Sequence, residues 1–410
     1  MEWIETTVGE FCPFSYGKSL PQSKRIEGDY PVYGSNGIVG FHKEPNIKSH
    51  GIIIGRKGSV GEIHLSLTPF WAIDTSFYTV KESLPELKFT YYLLKTLGLN
   101  AMNSDSAVPG LNRDNAHSVK IKIPKFQSDR RKIAEFLSTF DQKIALNTQT
   151  NQTLEQIAQG IFKHWFIDFA PVHAKANALA RGETTEQAEL ATMACLSGKT
   201  VEKITALKTQ DPTAYHQLQQ TAAAFPSEFV ETEMGEVPRG WEVKPINEIC
   251  RVVYGKGLPK NQLRASGYPV YGANGIIGYY DQYLYENRQV LVGCRGTVGQ
   301  VYVSQPYSYI TSNSLVIEYE KTTINLYFLE LYLKSLDLSI FASGSVQPQI
   351  TIQNLLKLKI LIPGKEILDS FATLVEPIYQ LTYKNDDEKK TLSETRDLLL
   401  PKLLNGEIEL

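Results

Sequence analysis

Residues 30–40 read YPVYGSNGIVG, and residues 268–278 read YPVYGANGIIG, the same phrase 238 positions further on. An echo this short decides little alone, because Gly-rich turns recur by chance. It decides the fold if it extends, and it does. At the same offset Trp3 maps to Trp241, YGKSLP (Tyr16–Pro21) to YGKGLP (Tyr254–Pro259), GRKGSVG (Gly55–Gly61) to GCRGTVG (Gly293–Gly299), and Ser76 to Ser314. At an offset of 239, SAVPGLNRDNAHSVKIKIP (106–124) faces GSVQPQITIQNLLKLKILIP, which ends at Pro363. The unit is far longer than a solenoid repeat of ~20–45 residues, so the chain reads as two related domains.

Each unit mixes periods. Ile52-Ile53-Ile54 and Val290-Leu291-Val292 are short apolar runs bounded by Gly, as buried strands are, and GEIHLS and GQVYVS alternate in strand fashion. LKFTYYLLKTLGL (87–99) and INLYFLELYLKSLDL (324–338) have helical spacing. SVKIKIP and LKLKILIP close each unit with a strand stopped by proline. Each module is therefore α+β.

A long helical pattern follows each module. Ile133, Leu137, Phe140, Ile144, Asn147, Leu154 and Ile161 keep a 4-3-4-3 register, and so do Phe371, Val375, Ile378, Thr382, Asn385, Leu392 and Leu399. These are the seam positions of a coiled coil, with Asn147 and Asn385 as buried-type polar residues that set register and partner. The other reading is two amphipathic helices, each lying on its own domain. A helix of ~40 residues spans ~60 Å, the length of a spacer. Pro401 stands where the first helix has Lys163, so the second helix is expected to kink or end there.

Between the halves, residues 171–235 turn rich in Ala, Thr, Gln and Glu, as a small helical insertion and linker would. Ser197–Thr200 spell SGKT, the end of a P-loop. The required first Gly falls on Met193 and no strand precedes it, so the match is accidental.

Composition bounds the function. Hydrophobic residues at 42% and charged residues at 21% are a globular balance, and no apolar run is long enough to span a bilayer. The N-terminus MEWIETTVGEF has no basic region before an apolar core and is not expected to be a signal peptide. Cys12, Cys195, Cys250 and Cys294 show no C-x-x-C spacing, which argues against a zinc site or disulfide framework and for a cytoplasmic setting. The net charge is −2, but it is not uniform. Residues 1–125 carry 14 Lys and Arg against 12 Asp and Glu, and residues 236–363 carry 12 against 9. Residues 126–235 carry 10 against 13, and residues 364–410 carry 6 against 10. Two mildly basic modules between acidic elements suit a polyanion held at two places.

Signatures of catalysis are missing. The seven histidines form no H-E-x-x-H pair, His164 reads as a packed side chain, and neither G-x-S-x-G nor a strand-borne G-x-G-x-x-G occurs. Glu242 and Lys244 have the spacing of a nuclease E-x-K pair without an upstream Asp partner. What recurs instead is small, polar and flanked by Gly: Ser35-Asn36 with Ala273-Asn274, Arg56-Lys57 with Arg295, Ser59 with Thr297, and Ser76 with Asn313-Ser314. Lys18 and Lys256 hold equivalent places in the YGK phrases. Arg, Lys, Asn, Ser and Thr on exposed turns suit hydrogen bonds to base edges and phosphates, and all of these residues except Ala273, thirteen in number, are the DNA-binding candidates. The competing reading is that the glycines shape tight turns and the polar residues beside them are merely solvated.

The repeated phrases, the strand-closing segments, IFKHWFIDFAPVHAKA and FPSEFVETEMGEVPRGW together resemble the specificity subunit of Type I restriction–modification systems, in that family's order and over essentially the whole chain. The resemblance implies an α+β chain of two homologous globular target-recognition domains separated by two long antiparallel coiled-coil helices, with pseudo-twofold symmetry. Its parts would be recognition domain 1 (1–125), first spacer helix (126–170), insertion and linker (171–235), recognition domain 2 (236–363) and second spacer helix (364–410). It implies that each domain reads one half of a split target on double-stranded DNA, and that the helices set the gap and dock two modification (methyltransferase) subunits, which restriction (translocase/endonuclease) subunits then join. The chain itself would be no enzyme, bind no cofactor or metal and touch no membrane. S-adenosylmethionine, ATP and Mg²⁺ would be used by its partners. The divergent loops, such as FHKEPNIKSH against YYDQYLYENR, would then read sequence while the shared glycines hold shape. A non-DNA coiled-coil adaptor with two protein-binding modules is the alternative.

Overall fold

In a computed structural model the repeated phrase forms a hairpin in both halves. The structure describes residues 1–102, 110–319, 322–344 and 346–410; Ser106, Val108 and their neighbours in the quoted strand-closing segment lie outside them. Tyr30–Gly34 pairs with Gly37–His42, and Tyr268–Gly272 with Gly275–Tyr280. Each hairpin turns on two residues, Ser35-Asn36 or Ala273-Asn274. The residue after each turn, Gly37 or Gly275, takes a φ of +99° or +96°, which a side chain would strain.

The chain divides into two compact units, Met1–Asn151 with Lys384–Leu410, and Gln152–Tyr383. In the first unit the outer strand Trp3–Thr7 pairs antiparallel with Lys120–Pro124, so the module is closed by its own ends. A four-stranded sheet has the order Ser15–Tyr16, Ser76–Thr79, Gly51–Gly55, Ile63–Ser66. The hairpin forms a three-stranded sheet with Trp71–Ala72, which joins in parallel.

The second unit repeats this strand for strand. Glu242–Pro245 pairs with Lys359–Ile362, and the four-stranded order is Arg251–Tyr254, Ser314–Glu318, Val290–Gly293, Val301–Val303. Its hairpin takes Tyr309–Ile310 as the parallel third strand. The helices Leu84–Thr96 and Leu326–Lys334 start at Ser83 and Asn325, whose side chains accept the N3 amide and so satisfy one of the unpaired first-turn donors.

The two long helices are Gln127–Phe166 and Lys365–Leu404, 40 residues each. Each is divided between the units, and this makes the packing legible. The core of the first unit combines Ile52, Ile54, Phe77 and Phe89 with Ile133 and Leu137 from the first helix and Leu400, Leu403 and Leu404 from the second. The core of the second combines Val290, Val292, Leu315 and Phe328 with Phe371 and Val375 from the second helix and Phe162, Trp165 and Phe166 from the first. Each of these positions has its counterpart 238 residues away, except that Phe89 and Phe328 lie 239 apart. Each module is thus sealed by the start of the helix that follows it and by the end of the other. Within the first unit the helices run antiparallel, with Asp141 meeting Arg396, Asn147 meeting Glu388, and Asn151 meeting Asn385.

The helix does not end at Pro401 but continues through it to Leu404. A proline one turn from the end removes a single backbone bond, while Leu400, Leu403 and Leu404 are all buried and hold the last turn in the core. The insertion between the halves is four helices, Ala170–Ala180, Thr185–Ser197, Val201–Gln210 and Pro212–Ala224. Lys175 is buried and donates to the carbonyls of Ala222, Ala223 and Phe225, at 3.2, 3.2 and 2.8 Å, closing the C-terminus of the last of them. SGKT is the junction of two helices: Gly198 at φ +64° stops one and Thr200 caps the next.

Candidate nucleic-acid interface

In the first unit three loops meet around the hairpin turn. Gly55 is the hub, because a Cβ there would lie 2.0 Å from the Ser59 carbonyl oxygen and 3.0 Å from that of Ser35. The backbone amides of Arg56 and Lys57 both donate to the Thr75 carbonyl, at 2.9 and 3.1 Å. Arg56 also donates from Nη1 to the Asp74 carbonyl at 3.1 Å, and its guanidinium lies 4.9 Å from the centre of the Tyr16 ring. The Arg113 guanidinium lies 5.0 Å from the same ring. Tyr16 is half exposed, so two cations sit on an accessible aromatic surface, an arrangement that suits stacking on bases and contact with phosphates. Lys18, Asn36 and Lys57 are exposed, and Ser35 and Ser59 are half-buried.

The second unit builds the same junction from different side chains. A Cβ on Gly293 would lie 2.2 Å from the Thr297 carbonyl oxygen and 2.7 Å from that of Ala273. The amides of Cys294 and Arg295 donate to the Asn313 carbonyl at 2.9 and 3.3 Å, so Cys294 stands where Arg56 stands and Arg295 where Lys57 stands. Cys294 is fully buried, and burial raises its thiol pKa above the ordinary range, which leaves it unreactive. Arg295 donates from Nε to Gln349 Oε1 at 3.1 Å and, with Gly296, Val346, Gln347, Pro348 and Gln349, lines an open cleft. Lys256, Asn274, Thr297 and Asn313 are exposed.

Ser76 and Ser314 are corrected. Both are fully buried. Ser76 Oγ donates to the Ile73 carbonyl, and Ser314 Oγ donates to that of Gly272, each at 2.9 Å. They brace the turns from inside and do not reach the surface. Tyr16, Thr75, Arg113 and Gln349 escaped the sequence reading. Tyr16 was legible, since it opens the repeated YGK phrase, whereas Arg113 has no Arg counterpart in the second half and only folding brings it to Tyr16.

On the helices, Asn147 and Asn385 are both buried but do not pair with each other. Asn147 donates to Glu388 Oε2 at 2.8 Å, Asn385 to Asn151 Oδ1 at 2.8 Å, and Asn151 to Asp386 Oδ1 at 2.9 Å. Ile133, Leu137, Phe371 and Val375 are fully buried in module cores. Phe140, Leu154, Ile161, Ile378, Leu392 and Leu399 are half-buried. Tyr92 donates to Asp141 at 2.5 Å, and Asp141 also receives Arg396, which ties one module helix to both long helices.

Lys244 and Glu242 pair with one another on a strand, and His164 lies 3.3 Å from Cys195 Sγ. Among the described residues no three His, Cys, Asp or Glu side chains cluster as metal ligands, and no helix is long and apolar enough to cross a membrane. Cys12 and Cys250 are pushed up to about 12 by burial.

Known proteins match most of the chain. The model of the Type I restriction modification DNA specificity domain matches residues 1–156 and again 238–388. The Type I restriction enzyme HindI specificity subunit of Haemophilus influenzae is 34% identical over 382 residues, covering 82% of this chain and 81% of that one. The MjaIX specificity subunit of Methanocaldococcus jannaschii is 25% identical, covering 87% and 77%. In fold, the crystal structure of the S subunit of a Type I restriction–modification system from M. genitalium superposes with a TM-score of 0.56 at 17% identity, over 98% of this chain and 96% of that one.

Proposed function

The chain belongs to the family of Type I restriction–modification DNA specificity subunits, and on that premise we propose that each of its modules reads one half of a bipartite DNA target. A specificity subunit is not itself an enzyme. One observation carries the reading: the two modules share strand order and loop hydrogen bonds but present different side chains from the same backbone. Arg56-Lys57 faces Cys294-Arg295, Ser35 faces Ala273, and Arg113 faces Ile352. A common scaffold with a changed face is what reading two different half-sites requires, since bases are distinguished by the donors and acceptors presented to their edges. A non-DNA adaptor gives no reason for that divergence.

Recognition is assigned to residues 1–125 and 236–363, spacing to 126–170 and 364–410, and linkage to 171–235. The long helices set the gap between half-sites and dock two methyltransferase subunits, with restriction subunits joining them. S-adenosylmethionine, ATP and Mg²⁺ are used by those partners. Four free cysteines suit work in the cytoplasm.

Expression of the chain with its modification subunits in a methylation-free host, followed by genome-wide mapping of methylated bases, tests the reading. The expected result is a split motif with one fixed gap, of which exchange of residues 1–125 for another module changes one half only. Methylation without sequence restriction would overturn it.

A further inference from the structure

The backbone frame that carries Arg295 occurs in both units, but its side chains do not. In the second unit the Ile350 amide donates to the Cys294 carbonyl at 3.1 Å, and Gln349 pairs across a short ladder with Ser343. This lays Gln349, which is half-buried, beside Arg295, whose Nε donates to Gln349 Oε1 at 3.1 Å. In the first unit the Leu111 amide donates to the Arg56 carbonyl at 2.9 Å, and Lys57 bridges Gly110. The same two places therefore hold an arginine with a side-chain acceptor in one module and a lysine opposite a glycine in the other.

That difference changes what the place can recognise. A guanidinium is planar, so a hydrogen bond at Nε fixes the plane of the whole group and leaves the two Nη nitrogens as an ordered fork. No other side-chain hydrogen bond or ion pair holds Arg295 among the described residues. It is exposed and lines an open cleft of about 680 Å³ whose lining includes no carboxylate. The fork is left to take two acceptors from a ligand. In the major groove of duplex DNA, guanine presents two neighbouring acceptors, N7 and O6. Adenine sets a donor beside its acceptor, cytosine offers a donor, and thymine offers one acceptor and a methyl group. A phosphate also accepts two donors, but a freely turning ammonium serves it as a point charge, and Lys57 supplies that at the equivalent place. A held plane adds most where the acceptors are coplanar, as on a base edge.

We propose that Arg295 reads one guanine in the half-site of the second module, and that Gln349 is a positioning residue that holds the guanidinium plane for it. This rests on the DNA reading above and deepens it: it names the base, and it assigns no equivalent guanine reader to Lys57.

The test maps methylated bases for the full chain assembled with its modification subunits, and titrates that complex with matched and singly changed targets. The half-site that survives exchange of residues 1–125 belongs to the second module. Arg295→Ala and Gln349→Leu are each expected to lower discrimination at one and the same G·C pair of that half-site by about tenfold or more. The remaining positions and the other half-site should stay intact. Arg295→Lys should lose the same discrimination while keeping the salt dependence of binding, and Gln349→Glu, which keeps an acceptor, should retain it. An unchanged motif in Arg295→Ala or Gln349→Leu would overturn the proposal. So would equal weakening on every target by Arg295→Ala with full rescue by Arg295→Lys, which makes the contact a phosphate. Relaxation of every position in the half-site by Gln349→Leu makes that residue a support of the loop and overturns its assigned role. Failure of the unaltered complex to methylate any defined motif counts against the specificity reading, whereas a defined motif that withstands replacement of Arg295 counts against this proposal alone.

Discussion

Asn147 donates its side-chain amide to Glu388 across the helix pair at 2.8 Å, joining residues 241 positions apart in the chain. Asn147 is buried, so its amide has no water to fall back on and the helices keep the register that supplies the carboxylate. The bond, with Lys143 nearby, holds the Glu388 carboxyl below its ordinary pKa.

A carboxyl whose folded pKa is depressed stabilises the native state above its unfolded pKa, and that contribution is lost as pH falls through the folded pKa. Acidification below the usual carboxylate range should therefore lower the melting temperature, and Glu388→Gln should flatten that part of the profile. Thermal melts of both proteins across the acid range check this.

Glu86 receives Arg130 at 2.9 and 3.2 Å, and Arg130 also donates to the Pro124 and Lys125 carbonyls. The two side chains are 9 and 13% exposed. Glu86→Ala leaves a guanidinium without its counter-charge where a module meets its helix, and is expected to cost about 3 kcal/mol. Denaturant unfolding measures the loss, which Glu86→Gln should reduce.

A Cβ at Gly55 would overlap the Ser59 carbonyl. Gly55→Ala should displace the hairpin turn and the Arg56 loop together and weaken recognition of one half-site, leaving the other intact. Gly98, with open space around it, is the control: Gly98→Ala strains only a left-handed turn. Footprinting or motif mapping of the assembled complex reads both.

Arg295 and the Arg56–Tyr16–Arg113 group occupy corresponding surfaces with different chemistry. Arg295→Ala is expected to relax discrimination in one half-site by about 1–3 kcal/mol, and Arg113→Ala in the other. Lys18→Ala and Lys256→Ala, if they contact phosphates, should weaken binding to all sequences alike and reduce the salt slope. Titration of matched and mismatched targets at two salt concentrations separates the outcomes.

Much of this protein was legible in its residues because duplication writes the same physical constraint twice. Ile52-Ile53-Ile54 and Val290-Leu291-Val292 are buried strands, and the long seams are helices of 40 residues. The hairpin glycines recur because a backbone turn at positive φ tolerates little else. The candidate surface was legible in part. Asn36, Lys57, Asn274 and Arg295 are exposed, yet Ser76 and Ser314 recur for the opposite reason, as internal braces. Recurrence marks constraint without saying which side of the surface imposes it.

Tertiary structure alone decided the pairing of long-range partners. The sequence determined two modules, two helices and their register of apolar residues, all of which follow from local periodicity. That Phe162 seals the module after it while Leu400 seals the module before it, or that Arg113 joins Arg56 on Tyr16, depends on which surfaces meet. Periodicity specifies the face an element buries; the atoms it is buried against are set only when the whole chain packs.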